Sequence, residues 1–439
     1  MLPELRTEIP GPGSRRLAEE LRRYESRNVT FLSAGFPIFW ERAEGANVWD
    51  VDENRFLDFT SAFAVSGLGH NAPAVVAAMR DQSTKLIHAM GDVHPTRVKA
   101  DLCRLLSEIT FERWGCGTAR TILASSGSEA VEAALKTSLL RTGKPGILSF
   151  EGGYHGLGHG ALGTGGIPFF REPFLPQLAH FGAQAPYPTR EDQLDELRTR
   201  ISELLRQHEI GAILVEPVQG RGGEIAPPRA FLPTLREACN AHGALLILDE
   251  IYTGFHRTGR LFACEHSGVV PDLICLGKAL TSGFPLSACV GRSEVMDAWP
   301  PSHGEALHTS TYLGNPVGCA MALASIREHL KPETESLARK TSRALDAELA
   351  ALRSPRIREV RGMGLMRGIE LVCADGSPDA ALAAGIVTQS LKDGLLLLAG
   401  SPTGNVLSLT PPFAISREEI AFATAKIQEY LTSLPGSIS

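Results

Sequence analysis

Lysine is scarce in this chain, nine of 43 cationic residues, and one of the nine stands where a cation is costly. Lys278 follows the apolar run of PDLICLGKAL with a single glycine between. An amine there is either kept neutral and used, as the nucleophile of a Schiff base, or it snorkels to water. Asp249 raises the same question at the end of ALLILDE. A carboxylate closing an apolar strand needs a partner. A protonated ring nitrogen, a helix cap, a structural ion pair or Mg²⁺ would each serve. SSGSEA, residues 125–130, brings small residues to the start of a helix, where free N–H groups face an anion. Gly127 and Ser128, with Ser126 beside them, could cradle a phosphate; an ordinary capping turn uses the same residues. Tyr154, in the Tyr154–His155–Gly156 run after GILSFEGG, is an aromatic at a strand end. A flat cofactor could stack on it, and a core tyrosine would read alike.

A phosphate cradle, a stacking aromatic, a ring-nitrogen carboxylate and a Schiff-base lysine are together the requirements of pyridoxal 5′-phosphate (PLP). They converge if all four stand at the ends of parallel strands, where α/β proteins place their sites. The elements fit that demand. From about 119 to 291 the apolar runs RTILAS, GILSF, GAILVE, ALLILDE and LICLG alternate with amphipathic helices near Glu129–Arg141, Gln193–His208 and Pro228–His242. Runs without polar alternation predict strands covered on both faces, hence a largely parallel sheet with crossover helices. Ahead of it lie a polar helix near Ser14–Glu25, short strands from Phe36 to Thr60 and a helix near Asn71–Gln82. A long helix spans about Pro316 to His329. Residues 330–439 predict helix, strand (LMRGIELV), helix, strand and helix. The expected organisation is a large domain over 71–325, a small α+β domain over 326–439, and an N-terminal segment, 1–70, packing with the small domain.

Composition narrows the class. The chain has 439 residues, 43% apolar and 21% charged, with a net charge of −6 and no charge runs. This is the make-up of a soluble enzyme without a surface for nucleic acid or an anionic membrane. No apolar run reaches membrane-spanning length, and the N-terminus lacks the apolar core of a signal peptide. The eight cysteines form no CxxC pair, and no His cluster has metal-ligand spacing. A cytoplasmic, metal-free protein is expected. GLGHNA (67–72) and GLGHGA (156–161) match a dinucleotide fingerprint, but neither joins a buried strand to a convincing helix.

The chain resembles the class III (omega) aminotransferases of PLP fold type I from about Phe36 to Ile427. The resemblance rests on ASSGSEAVEAALK, GGYHG, LVEPVQG, LDEIYTGFHRTG, PDLICLGKAL, STYLGNP, VRGMGL and LTPPFAIS, in that order. It implies a homodimer with shared active sites and a role for each matching position. Lys278 becomes the Schiff-base lysine and proton shuttle, and Asp249 the partner of the pyridinium nitrogen. Ser126, Gly127 and Ser128 form the phosphate loop, joined by Thr311 from the other subunit. Tyr154 and Ile251 cover the two ring faces. Tyr252 stands where the family usually has Gln near the phenolic oxygen, and Glu216 matches its buried active-site glutamate.

The departures bear on substrate. Ornithine-, acetylornithine- and 4-aminobutyrate-type members commonly carry Arg after aromatic-His-Gly, where this chain has Leu157. Another usual Arg, in the strand before the PP motif, is Ser408. Arg221 instead follows EPVQG, where Glu is common, and is expected to supply a carboxylate handle. Phe36, Phe39 and Trp40 are either substrate-facing aromatics or core. The reading is transfer of an amino group from an amine or omega-amino acid (4-aminobutyrate-like) to a 2-oxo acid. A racemase, disfavoured by the lack of an acidic second base at 221, or an aminomutase on the same fold is the alternative.

Overall fold

A computed structural model describes residues 1–179 and 182–434. The chain divides into two compact units: Pro73–Glu335, and Met1–Ala72 with the chain from Ser336 on.

The large unit is built on a seven-stranded sheet. Its order is Ala119–Ala124, Ser287–Arg292, Leu273–Leu276, Leu245–Asp249, Ile210–Val215, Gly146–Phe150 and Gly182–Ala185. All pairings are parallel except those of Ser287–Arg292, which runs antiparallel to both neighbours. The central strands are buried along their whole length, which is why they read as unbroken apolar runs. The helices Gly127–Thr142, Leu194–Gln207 and Phe231–His242 pack against this sheet. The unit extends past the expected boundary at 325 because the helix Pro316–His329 packs on Pro73–Lys85 and Arg97–Ser107.

Register aligns the strand ends that matter. Asp249 pairs with Cys275, three residues before Lys278, and Val215 pairs with Leu248, so Glu216 follows at the same edge. Leu148 pairs with Ile213, which brings the turn after Phe150 to that edge as well.

The second unit carries two four-stranded sheets. Trp40–Glu44, Asn47–Asp50 and Arg55–Asp58 form a meander that Leu395–Leu396 joins in parallel. Ile357–Met363, Met366–Leu371, Val406–Leu409 and Leu398–Gly400 form an antiparallel sheet under the helices Ala380–Lys392 and Arg417–Ser433. The sequence expectation for this region lacks Ile357–Met363. That edge strand buries none of its residues, so it carries no apolar signal. The GLGHNA segment is a turn here: His70 Nε2 lies 2.7 Å from buried Asp58, and Gly69 sits against Gly45. No helix among the described residues is long and apolar enough to cross a membrane.

Candidate active site

The sequence-predicted residues of the large unit gather at the C-terminal edge of its parallel strands, and the local contacts explain how each is held. Asp249 is buried, and its two oxygens have different partners. Oδ2 accepts from His155 Nδ1 at 2.8 Å, and Oδ1 accepts from the backbone N–H of Ile251 at 3.2 Å. Burial works against charge on His155. The hydrogen bond to Asp249, its negative charge and that of Glu216 prevail, and the imidazole pKa is raised. Each Asp249 oxygen, met by one of these donors, retains a lone pair for a further one.

Glu216 acts as a clasp. Oε1 accepts from the N–H of Tyr154 at 2.8 Å, and Oε2 from the N–H of Gly220 at 3.1 Å. One carboxylate thus ties the Tyr154 turn to the turn that carries Arg221. Burial, opposed by His155 and reinforced by Asp249, pushes the Glu216 carboxyl up to about 7.

Lys278 begins a short turn after its strand, in the left-handed region at φ 46°. A non-glycine residue there is unusual and is typical of positions held by function. Its Nζ lies 4.9 Å from the centroid of the Tyr252 ring. Burial lowers the amine's pKa against the pull of Asp249 and Glu216, and the positive charge of Arg221 lowers it further. The chain thus presents an amine biased toward its neutral, nucleophilic form.

The phosphate-loop candidates form the capping turn, one of their two sequence readings. Ser126 caps the helix Gly127–Thr142, its Oγ accepting from Glu129 N at 3.3 Å. The N–H groups of Gly127 and Ser128 begin that helix and have no intrahelical acceptor. Ser128 Oγ accepts from the N–H of Gly158 at 2.9 Å, which fixes the glycine-rich turn over the helix start. Ile251 fills the space between two glycines: a Cβ on Gly127 would fall 2.9 Å from its Cδ1, and one on Gly277 3.2 Å from its Cγ2. Small residues, an open helix start, a buried carboxylate and a desolvated amine fit the phosphate, ring nitrogen and aldehyde of PLP.

The Tyr252 hydroxyl is 3.4 Å from Glu224 Oε1, a weak contact. The Arg221 guanidinium lies 4.8 Å over the ring of Tyr154 and 5.4 Å from that of Phe170. Thr311 is exposed in the loop ahead of the helix Pro316–His329. Phe36, Phe39 and Trp40 belong to the other unit, where Trp40 is 44% exposed and packs edge-on against His70. The core reading therefore fails for Trp40.

Sequence reasoning passed over two residues. His155 was read only as the neighbour of Tyr154, although a polar residue in a buried turn after an apolar strand is itself a signal. Phe170 gives no signal, because nothing in its local sequence links it to a turn 51 positions later.

The family model "Aminotransferase class-III" matches residues 32–431. The 4-aminobutyrate aminotransferase of Mycobacterium leprae is 36% identical over 437 residues, covering 95% of each chain. The 4-aminobutyrate aminotransferase GabT of Escherichia coli is 38% identical over 397 residues, covering 88% of this chain and 91% of its own. Among solved structures, the PLP-bound amine transaminase from an uncultivated Pseudomonas species superposes with a TM-score of 0.84 at 29% identity. It covers 93% of this chain and 98% of its own.

Proposed function

Because the chain belongs to the class III aminotransferases, which depend on PLP, we propose that it moves an amino group from an amine or omega-amino acid, of the 4-aminobutyrate kind, to a 2-oxo acid. The observation that carries the reading is the partly buried Lys278 amine at one sheet edge with the hydrogen-bonded Asp249–His155 pair. The names of the two curated relatives support the choice of donor.

Lys278 Nζ would hold the cofactor at its aldehyde carbon, Asp249 its ring nitrogen, and the N–H groups of Gly127 and Ser128 its phosphate, with Ser126 shaping the loop. Tyr154 and Ile251 would cover the ring, with Tyr252 toward its phenolic oxygen. PLP, when bound, carries the amino group between substrates and withdraws the electron pair left when the substrate C–H bond breaks. Lys278 Nζ would take the proton from the amine-bearing carbon of the donor and hold it for return. Its lowered pKa suits both directions of that transfer. Asp249, hydrogen-bonded to His155, would face the ring nitrogen and favour a proton there. Glu216 orients both turns and does not touch the reacting atoms.

The same reading includes a homodimer in which Thr311 of a second copy completes the phosphate loop. An exposed apolar surface supports it: Ile87, Met90, Val93, Leu307 and Tyr312 are all exposed, and the two loops that carry them are joined by Asn315 Nδ2 donating to Ile87 O. Eight free cysteines suit a reducing cytoplasm. Lys278→Ala is the direct test: the purified variant lacks the yellow band of the wild type and turns over no amine. A variant that kept both would refute the assignment.

A further inference from the structure

Arg221 is exposed at the tip of the turn 220–224, yet its guanidinium has no carboxylate within 4 Å among the described residues. Aromatic faces hold it instead. Tyr154 and Phe170 stand edge-to-face, with centroids 5.4 Å apart, and the guanidinium carbon lies 4.8 Å from the first ring and 5.4 Å from the second. Stacking satisfies the flat faces of a guanidinium and leaves its N–H fork free for a planar acceptor.

The support beneath is rigid. The N–H groups of Gly223 and Glu224 donate to Gly220 O at 2.9 and 3.1 Å, and a Cβ on Gly222 would fall 2.4 Å from Gln219 Oε1. Glu216 holds the N–H of Gly220 on one oxygen and that of Tyr154 on the other, so the arginine's turn and the ring under it share one anchor. The charge of Arg221 is also felt at Lys278. Its turn follows Glu216 at the same sheet edge as Asp249 and Lys278, so an unpaired, pre-oriented cation stands on the site's side of the sheet. Little rotamer freedom remains to be lost when it binds a ligand.

We propose that Arg221, bracketed by Tyr154 and Phe170, is the receptor for the substrate carboxylate, and that Phe170 is a positioning residue for it. The inference rests on the aminotransferase reading and deepens it: donor and acceptor both carry a carboxylate that this fork binds. Leu157 and Ser408, where relatives commonly carry arginine, offer no such group.

The test pairs two donors of equal length, 4-aminobutanoate and 1-aminobutane, in single-turnover reactions of the PLP-loaded enzyme. Arg221→Ala lowers kcat/KM for 4-aminobutanoate by about 10- to 100-fold, mainly through KM, the loss of a charge-assisted hydrogen-bonded contact. The value for 1-aminobutane stays within about twofold. Arg221→Lys falls between, and Phe170→Leu raises KM for 4-aminobutanoate several-fold at unchanged Tm. Equal losses with both donors, or no change with either, would overturn the proposal. Calorimetric binding of butanoate to the loaded enzyme separates this inference from the reading beneath it. If wild type reacts with neither donor, the aminotransferase reading fails. The carboxylate site still stands if Arg221→Ala weakens butanoate binding, and falls if it does not.

Discussion

At the scale of single residues, the site is a set of charges whose burial is repaid by specific neighbours. Asp249 survives at the end of an apolar strand because His155 and the N–H of Ile251 meet it. Asp249→Asn keeps the shape and removes the charge. We expect kcat to fall by about 100-fold or more, the scale of losing a group that stabilises developing charge, with PLP still bound by absorbance. Near-normal turnover would show that the ring nitrogen needs no anion here. Glu216 yields a pH prediction. Its folded-state carboxyl value of about 7 exceeds the ordinary one, so the folded protein holds that proton more tightly than the unfolded chain. The resulting stability is complete below the unfolded carboxyl range and is lost as pH rises through about 7. Between pH 5 and 8, the Tm of wild type should therefore fall relative to that of Glu216→Gln. Parallel Tm curves would mean that Glu216 is charged throughout. Lys278 and Asp249 were legible because their cost is local, a charge beside an apolar run. His155, the partner that offsets the cost at Asp249, comes from another strand end, and no local pattern announces the pairing.

At the scale of elements, strand ends and helix starts do the positioning. Strands covered on both faces appear in sequence as unbroken apolar runs, so Gly146–Phe150, Ile210–Val215, Leu245–Asp249 and Leu273–Leu276 were readable. Ser287–Arg292 is equally buried but mixes Ser, Gly and Arg into its text, and its antiparallel direction depends on pairing that no local rule supplies. Two substitutions separate capping from close approach. Ser126→Ala should cost about 1 kcal/mol, the usual value of an N-cap. Gly156→Ala should cost more, roughly 2 kcal/mol or above, because Gly156 has φ 106° and a Cβ would lie 2.6 Å from Ser128 Cβ and 2.9 Å from its Cα. Urea unfolding of both variants gives the order, and the reverse order would show that the turn yields where the helix cap does not.

At the scale of the whole molecule, the fold class followed from the alternation of buried strands and amphipathic helices. The proposed assembly rests on a surface trace, the exposed apolar side chains around Ile87 and Tyr312. If a second copy covers them, Ile87→Asp should shift the protein to monomers by light scattering and lower activity with it. A fully active monomer would remove the shared site from the account. The central claim is amino transfer, and the visible spectrum of the purified enzyme, titrated with one amine donor and no acceptor, tests it most directly. The account predicts that 4-aminobutanoate bleaches the yellow band stoichiometrically, and that a 2-oxo acid restores it. A band that stays yellow while the donor exchanges its carbon-bound proton with solvent deuterium would contradict that claim, showing proton abstraction without amino transfer.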